Sequence, residues 1–482
     1  MTAAIISLSG AQALVTFTPE IFLGLVGFII LALGTFRIEK RIISWISFGA
    51  LGISAIMVFF LSPVGKSLFN GTFQYSDFGI YFAIVMLLSG MLISYPATRS
   101  IKSKSEVFYA TLLFVSVGMI FAAFSYNIIT LFVAFESVSI GTYVLASFGK
   151  SRRNLEGTIK YFFTGTIATA FILFGASFFF LQTGTFNLQV LKSASPSPEL
   201  LISLVFLIIG FGFKLAIFPM HQWALDAYDG TENSISAYLA AGSKVLAFLV
   251  ILKIFLVGFS SDFRDVSYLF IILSILTMTY GNVAALSQNN LKRLLAYSSI
   301  AQAGYLILVL AVVGFVGNTN SAVVDVAVAA GMFYALVYVF MKGGAFITLN
   351  LIKKDNVMIS DVSGLAKKSP ATAVSFAVML LALAGVPITG GFFAKYLLFL
   401  SLIEGNLWWL AIIAILNSAI SVFYYFRIIL YMFGKDPIPG ESFDMSTSTR
   451  VPIYASAFIT VALSVVVIWW PSLISMANGL FG

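Results

Sequence analysis

Cysteine is absent from this chain, and histidine occurs once, as His221. Without thiols there is neither a disulfide framework nor a cysteine-held iron–sulfur cluster, and one imidazole cannot supply both axial ligands of a bis-histidine haem. Redox centres, if the protein works with any, belong to partner chains; no cofactor and no metal is expected here. Charge is scarce too, at 10% of residues, against about 25% in soluble domains. In its place 60% of the residues are apolar, 49 of them Phe. A soluble chain has no means of covering such a surface, so the class is integral membrane protein. The first 20 residues, MTAAIISLSGAQALVTFTPE, lack the basic region of a secretory signal and read as mature sequence.

A bilayer-spanning helix takes about 20 mostly apolar residues. That length predicts an all-α protein of about fourteen spans, near 20–36, 42–62, 78–95, 107–124, 127–148, 156–182, 200–220, 233–258, 266–286, 291–315, 321–351, 371–403, 407–433 and 452–475. Loops after odd-numbered spans hold seventeen Lys and Arg, Arg37, Lys102 and Lys150 among them. Loops after even-numbered spans hold only Lys66, Lys192 and Arg264. This asymmetry places the odd loops in the cytoplasm and both termini on the outer side. The net charge of +8 is therefore a topology signal rather than a nucleic-acid footprint.

Seven cations remain inside the spans: Lys160, Lys214, Lys244, Lys253, Lys342, Lys395 and Arg427, with one mid-span acid, Glu136. A charge at the bilayer centre costs roughly 2.5–3.5 kcal/mol on insertion scales. Lys214, Lys244, Lys395 and Glu136 lie deepest, so together they cost on the order of 10 kcal/mol. A wet interior or mutual pairing has to offset that. Lys253 and Arg427 lie within reach of the headgroups, as anchors or interhelical props. Lys160 and Lys342 fit either reading. A lysine in a hydrated cavity beside a carboxylate can both take and release a proton, which arginine cannot.

Two spans are interrupted. In "FGFKLAIFPMHQWALDAYDG" Pro219 cannot donate to the carbonyl of Leu215, which kinks the seventh span just after Lys214. In "LALAGVPITGGFFAKYLLF" Gly385, Pro387, Gly390 and Gly391 break the twelfth, and Lys395 follows. Irregular backbone at membrane depth needs burial in protein or a polar cavity, and such pairs of broken spans mark transport pathways. The breaks lie five spans apart, so they point opposite ways across the membrane. An inverted five-helix repeat, spans 4–8 and 9–13, produces that arrangement. It divides the chain into a three-span segment (1–104), a first repeat (105–260), a second (261–434) and a final loop and span (435–482). His221 follows Lys214 by seven residues and suits a relay or a structural hydrogen bond. Asp226, Asp229 and Glu232 beyond it either collect protons at an entrance or are simply solvated.

These stretches, with "SKVLAF", "ALSQNNLKRLLAYSSIAQAGY" and "YYFRIILYMF", resemble the chain N group of antiporter-like subunits of the proton-pumping NADH–quinone oxidoreductase, respiratory complex I. That group is related to Mrp-type sodium/proton antiporters. The likeness runs from about residue 105 to 435. It implies a proton channel in the cell membrane, without cofactor, assembled with other membrane-arm subunits and driven by redox chemistry elsewhere. Glu136 and Lys160 match the family's fifth-span glutamate and sixth-span lysine, expected as a charge pair. Lys214, His221, Lys244 and Lys395 match the relay positions that follow. Two departures stand out. Gln302 occupies a site where bacterial relatives often carry histidine, and Glu232 interrupts a stretch that usually contains proline. Lys342, charged where many chain N sequences are not, is expected to supply what Gln302 lacks. Two alternatives to a proton pump remain: a subunit of an Mrp-type antiporter, and a membrane-arm subunit that pumps nothing.

Overall fold

Backbone amides find no water inside a bilayer, so each apolar run closes its hydrogen bonds within itself as helix. The computed structural model describes residues 6–7, 10–36, 38–101, 103–149, 151–193, 197–258, 264–439, 442–468 and 470–478. Of the basic residues used above for topology, Arg37, Lys102 and Lys150 lie outside the described residues.

The first three spans are α1 (Thr18–Leu33), α2 (Lys40–Leu61) and α3 (Asp77–Ser94). Next come α4 (Ser105–Phe124), α5 (Ile128–Ala146) and α6 (Arg152–Thr183). The seventh span is α7 (Pro198–Leu215), continued past its break by α8 (Gln222–Gly230). The eighth is divided into α9 (Asn233–Ala240) and α10 (Gly242–Gly258). Then follow α11 (Arg264–Leu286), α12 (Leu291–Val316) and α13 (Ser321–Thr348). The twelfth span is a pair of half-helices, α14 (Pro370–Ala384) and α15 (Gly390–Glu404). The chain ends on α16 (Trp408–Gly434), α17 (Thr447–Ala462) and α18 (Trp470–Asn478). Among the described residues thirteen helical runs are long and apolar enough to cross a membrane, and α14 is a shorter apolar one. The broken twelfth crossing makes up the predicted fourteen.

The discontinuity at Ala241 (φ −100°, ψ −76°) was not expected, since 233–258 reads as one unbroken apolar span. It falls where Gly242 presses against α3, so close that a Cβ there would come 2.2 Å from Ser89 Oγ. A small sheet also departs from the all-helical reading. Ile6–Ser7 pairs with Lys66–Leu68, which pairs with Phe73–Gln74.

Loop contacts sort the two ends of the bundle as the charge pattern predicts. Arg99 pairs with Asp444 at 3.1 Å, and Ser100 meets Ser234 in the first turn of α9 at 3.0 Å, so the odd loops gather at one end. At the other end Gln189 donates to Gln74 at 2.8 Å, and Tyr126 N donates to Thr72 O at 2.8 Å. The middle of the bundle is α9–α10, α12 and α13, buried on nearly all sides. At the periphery α6 buries one stripe, Gly157, Tyr161, Gly165, Ala168 and Ile172. Its 32 residues rise about 48 Å, more than the roughly 30 Å of hydrocarbon, so it crosses tilted or extends beyond it.

Candidate functional site

Both breaks are built alike, although their sequences differ. α7 stops on Ala216 in the left-handed region (φ 61°), and Ile217 N returns to Gly212 O at 3.2 Å. α14 stops on Gly385 (φ 85°), and Val386 N returns to Leu381 O at 2.9 Å. Each is a helix end closed by the same six-to-one hydrogen bond. At the second break Gly391 lets the half-helices touch, for a Cβ there would lie 2.1 Å from Ala382 O.

Lys214 ends in a polar pocket walled by rings. Its Nζ donates to Ser139 Oγ and Thr142 Oγ1, both at 3.1 Å, and faces the rings of Phe135, Tyr143 and Tyr161 at 5.5–5.7 Å. Glu136, Ser139 and Thr142 recur every three residues, which brings them to one side of α5. Glu136 is half-buried and accepts from Thr169 Oγ1 of α6 at 2.7 Å.

The expected Glu136–Lys160 pair is not formed. Lys160 lies toward the N-terminal end of α6, where its ammonium meets Glu156 at 2.7 Å and Asp226 at 2.9 Å. Nine residues separate it from Thr169, about 13 Å of helical rise, beyond a lysine's reach. Asp226 and Asp229 are therefore not idle surface charges. Asp226 also lies 3.5 Å from Arg293, and buried Asp229 is held by Arg153, by Asn290 at 3.2 Å and by Arg293 at 3.7 Å. Beside them a cavity of ≈ 480 Å³ is lined by Arg153, Asp229, Thr231, Glu232, Lys292 and Asp355.

His221 is buried against Phe218 and Tyr280, whose ring centroids lie 5.4 and 4.4 Å away. Neither ring nitrogen reaches a hydrogen-bonding partner among the described residues.

Between the breaks, α12 and α13 form a ladder. Lys342 Nζ donates to Ser298 Oγ at 2.7 Å, and Tyr338 meets Ser299 at 2.7 Å. Tyr334 donates to Gln302 Oε1. From the other side, buried Lys244 donates to Ser299 O at 2.6 Å. Lys244 and Lys342 thus hold adjacent residues of one helix turn. Ser298 also bonds Tyr425 of α16.

Lys395 reaches back across its break. Its Nζ donates to Leu383 O at 2.9 Å, to Ala384 O at 3.2 Å and to Ser418 Oγ at 2.9 Å, with the Tyr305 ring 4.6 Å away. A cation at the carbonyl end of α14 is where the helix dipole favours one. This is why the lysine follows the second break.

Two further cations are props. Lys253 is fully buried and donates to Ala122 O and Ser125 O, both at 3.1 Å, and to Ala123 O, capping α4. Arg427 closes the end of α11 through Leu286 O at 3.2 Å and Gln288 O. Neither joins the row. Sequence reasoning missed Ser139, Thr142, Ser298, Ser299 and Tyr425. The four-residue spacing of Tyr334, Tyr338 and Lys342 was a usable signal for that face of α13.

A bundle with two interrupted spans, each with a buried lysine at its helix end, defines a polytopic membrane protein of the antiporter-like class. The chain belongs to the NADH:quinone oxidoreductase/Mrp antiporter transmembrane family, whose model matches residues 125–421. It is 35% identical to F(420)H(2) dehydrogenase subunit N of Methanosarcina mazei, over 95% of this chain and 96% of that one. NADH-quinone oxidoreductase subunit N of Trichlorobacter lovleyi is likewise 35% identical, with 95% and 94% covered. Among solved structures, a chain of respiratory complex I from Thermus thermophilus with bound aureothin superposes with a TM-score of 0.81 at 28% identity, covering 96% of this chain and 100% of that one. A chain of the Mrp complex from Dietzia sp. shares the fold, with a TM-score of 0.84 at 19% identity and 98% of each chain covered.

Proposed function

We propose that this chain is a chain N-type, proton-translocating subunit in the membrane arm of a complex I-like oxidoreductase of the cell membrane. One observation carries the reading. Buried Lys214, Lys244, Lys342 and Lys395 each hold a hydroxyl or carbonyl, with nearest contacts of 2.6–3.1 Å, in a series that runs from one broken span to the other. Ammonium groups in hydrogen-bonded but desolvated surroundings can exchange protons, and their cost is hard to explain as packing alone. The redox chemistry then belongs to partner chains, since this one has no cysteine and a single histidine.

In this reading the chain comprises the segment 1–104, repeats 105–260 and 261–434, and the end 435–482, with both termini outside. The pairing of Ile6 with Lys66, in a loop after an even-numbered span, supports that side for the N-terminus. Protons enter at the cavity beside Glu232 and Lys292, where Asp229 of its lining shares Arg293 with Asp226, the partner of Lys160. Glu136 biases Lys214 through the polar stripe of α5; His221 and Lys244 carry the proton toward Lys342, and Lys395 releases it outward. Sodium exchange, which the Mrp likeness raises, asks for anionic oxygen ligands, whereas amines make up this row.

The test is the assembled complex in proteoliposomes. Lys214→Met or Glu136→Gln is expected to abolish proton pumping while electron transfer and assembly persist. Full pumping in either variant overturns the reading.

A further inference from the structure

Between Lys342 and Lys395 the polar side chains lie in two series, and each contains a carboxamide. In the first, Tyr334 of the α13 ladder donates to Gln302 Oε1, and Gln302 Nε2 donates to Leu383 O at 3.0 Å. That carbonyl is the one that also accepts from Lys395 Nζ at 2.9 Å. In the second, Lys342 holds Ser298, Ser298 bonds Tyr425, and the neighbouring Tyr424 donates to Asn282 Oδ1 at 2.9 Å. Asn282 Nδ2 then donates to Asn417 O at 3.0 Å, one residue before the Ser418 that holds Lys395.

The two amides are oriented alike. Each takes a tyrosine hydroxyl on its oxygen from the Lys342 side and points its nitrogen toward the Lys395 side. A hydroxyl both gives and receives a proton, so a chain of hydroxyls conducts. A carboxamide has an oxygen that only accepts and a nitrogen that only donates, and neither titrates in the working range. Gln302, Asn282, Tyr334 and Tyr424 are all buried, so bulk water does not bypass them at these points.

We propose that Gln302 and Asn282 form an insulating latch, closed in this structure, that stops protons passing between Lys342 and Lys395 until the Gln302–Leu383 contact opens. Gln302 is then a positioning residue for Lys395, because both hold one carbonyl at the end of α14. When the contact opens, Leu383 O loses one of its two donors and is left to the Lys395 ammonium alone. The inference rests on the proton-relay reading and assigns it a barrier.

The test uses the assembled complex in proteoliposomes without electron donor. A potassium diffusion potential is imposed with valinomycin, and internal pH is followed with a trapped dye. Gln302→Glu keeps the size and the oxygen facing Tyr334, but puts a titrating group where the amide stood. A protonated carboxyl gives its proton to the Lys395 amine, breaking O–H and forming N–H, and is reprotonated from the Lys342 side. The expected result is a passive proton leak several-fold above that of the unaltered complex, removed again in Gln302→Glu/Lys395→Met. Asn282→Asp is read in the same way if the first variant does not assemble. A variant as tight as the unaltered complex overturns the latch, and so does a leak that survives Lys395→Met. Because no pumping is measured, these outcomes are separate from the failure of the relay reading, which Lys214→Met decides.

Discussion

Lys160 of α6 holds Asp226 of α8 across 2.9 Å, while Glu136 of α5 takes its hydrogen bond from Thr169, nine residues farther along α6. The acid and the base that the sequence pairs therefore sit at different depths. Lys160 belongs with the charged cluster of Glu156, Asp226, Asp229 and Arg293, and Glu136 with the Lys214 pocket.

A double-mutant cycle on pumping rate separates these two arrangements. Sites that share no partner give independent effects, and sites in one network do not. Lys160→Met combined with Glu136→Asp, which shortens the acid without removing it, is expected to multiply the two single losses. Lys160→Met combined with Asp226→Asn is expected to lose little more than the worse single variant. Strong coupling in the first cycle would mean that Lys160 swings to Glu136 during turnover, contrary to this arrangement.

The Lys342 ladder yields the next prediction. A lysine that only props α13 against α12 needs its charge and length, both of which arginine supplies. A lysine that relays protons must also become neutral, which arginine does not do. Lys342→Met and Lys342→Arg are both expected to lower the ratio of protons moved to electrons transferred. Pumping left unchanged by Lys342→Met removes the residue from the pathway. Rescue by arginine makes it a prop.

How much of this was readable beforehand follows from the kind of signal each feature leaves. Span length, the odd–even charge bias and the breaks at Pro219 and Gly385–Gly391 are local, and the structure keeps them. Burial of Lys214, Lys244 and Lys395 follows from depth within an apolar run. Their partners do not. Hydroxyl side chains on a helix bond their own preceding turn, as Ser139 does to Phe135 O at 3.0 Å. Nothing in the sequence marks which of them also faces a lysine. The kink at Ala241 was illegible for a similar reason, since it accompanies tertiary contact between Gly242 and Ser89. Lys253 was readable only as an anchor or a prop, because distance from a span end does not say whether the nearest polar group is a headgroup or another helix's carbonyls.

Lys253 gives the last prediction, and it runs opposite to the others. Its ammonium is as buried as that of Lys214, yet it caps the carbonyl end of α4 at Ala122, Ala123 and Ser125 and packs 4.6 Å from the Tyr126 ring. Lys253→Met strands those carbonyls, each costing about 1–3 kcal/mol when left unsatisfied, and at the same time removes the cost of burying a charge. The net destabilisation is expected to be about 1–3 kcal/mol. It is read as a lower melting temperature of the purified complex or a smaller assembled fraction. The complex that does assemble is expected to move as many protons per electron as the unaltered one. A lower ratio at unchanged stability would place Lys253 on the proton path, and depth alone would then not distinguish structural from conducting lysines in this fold.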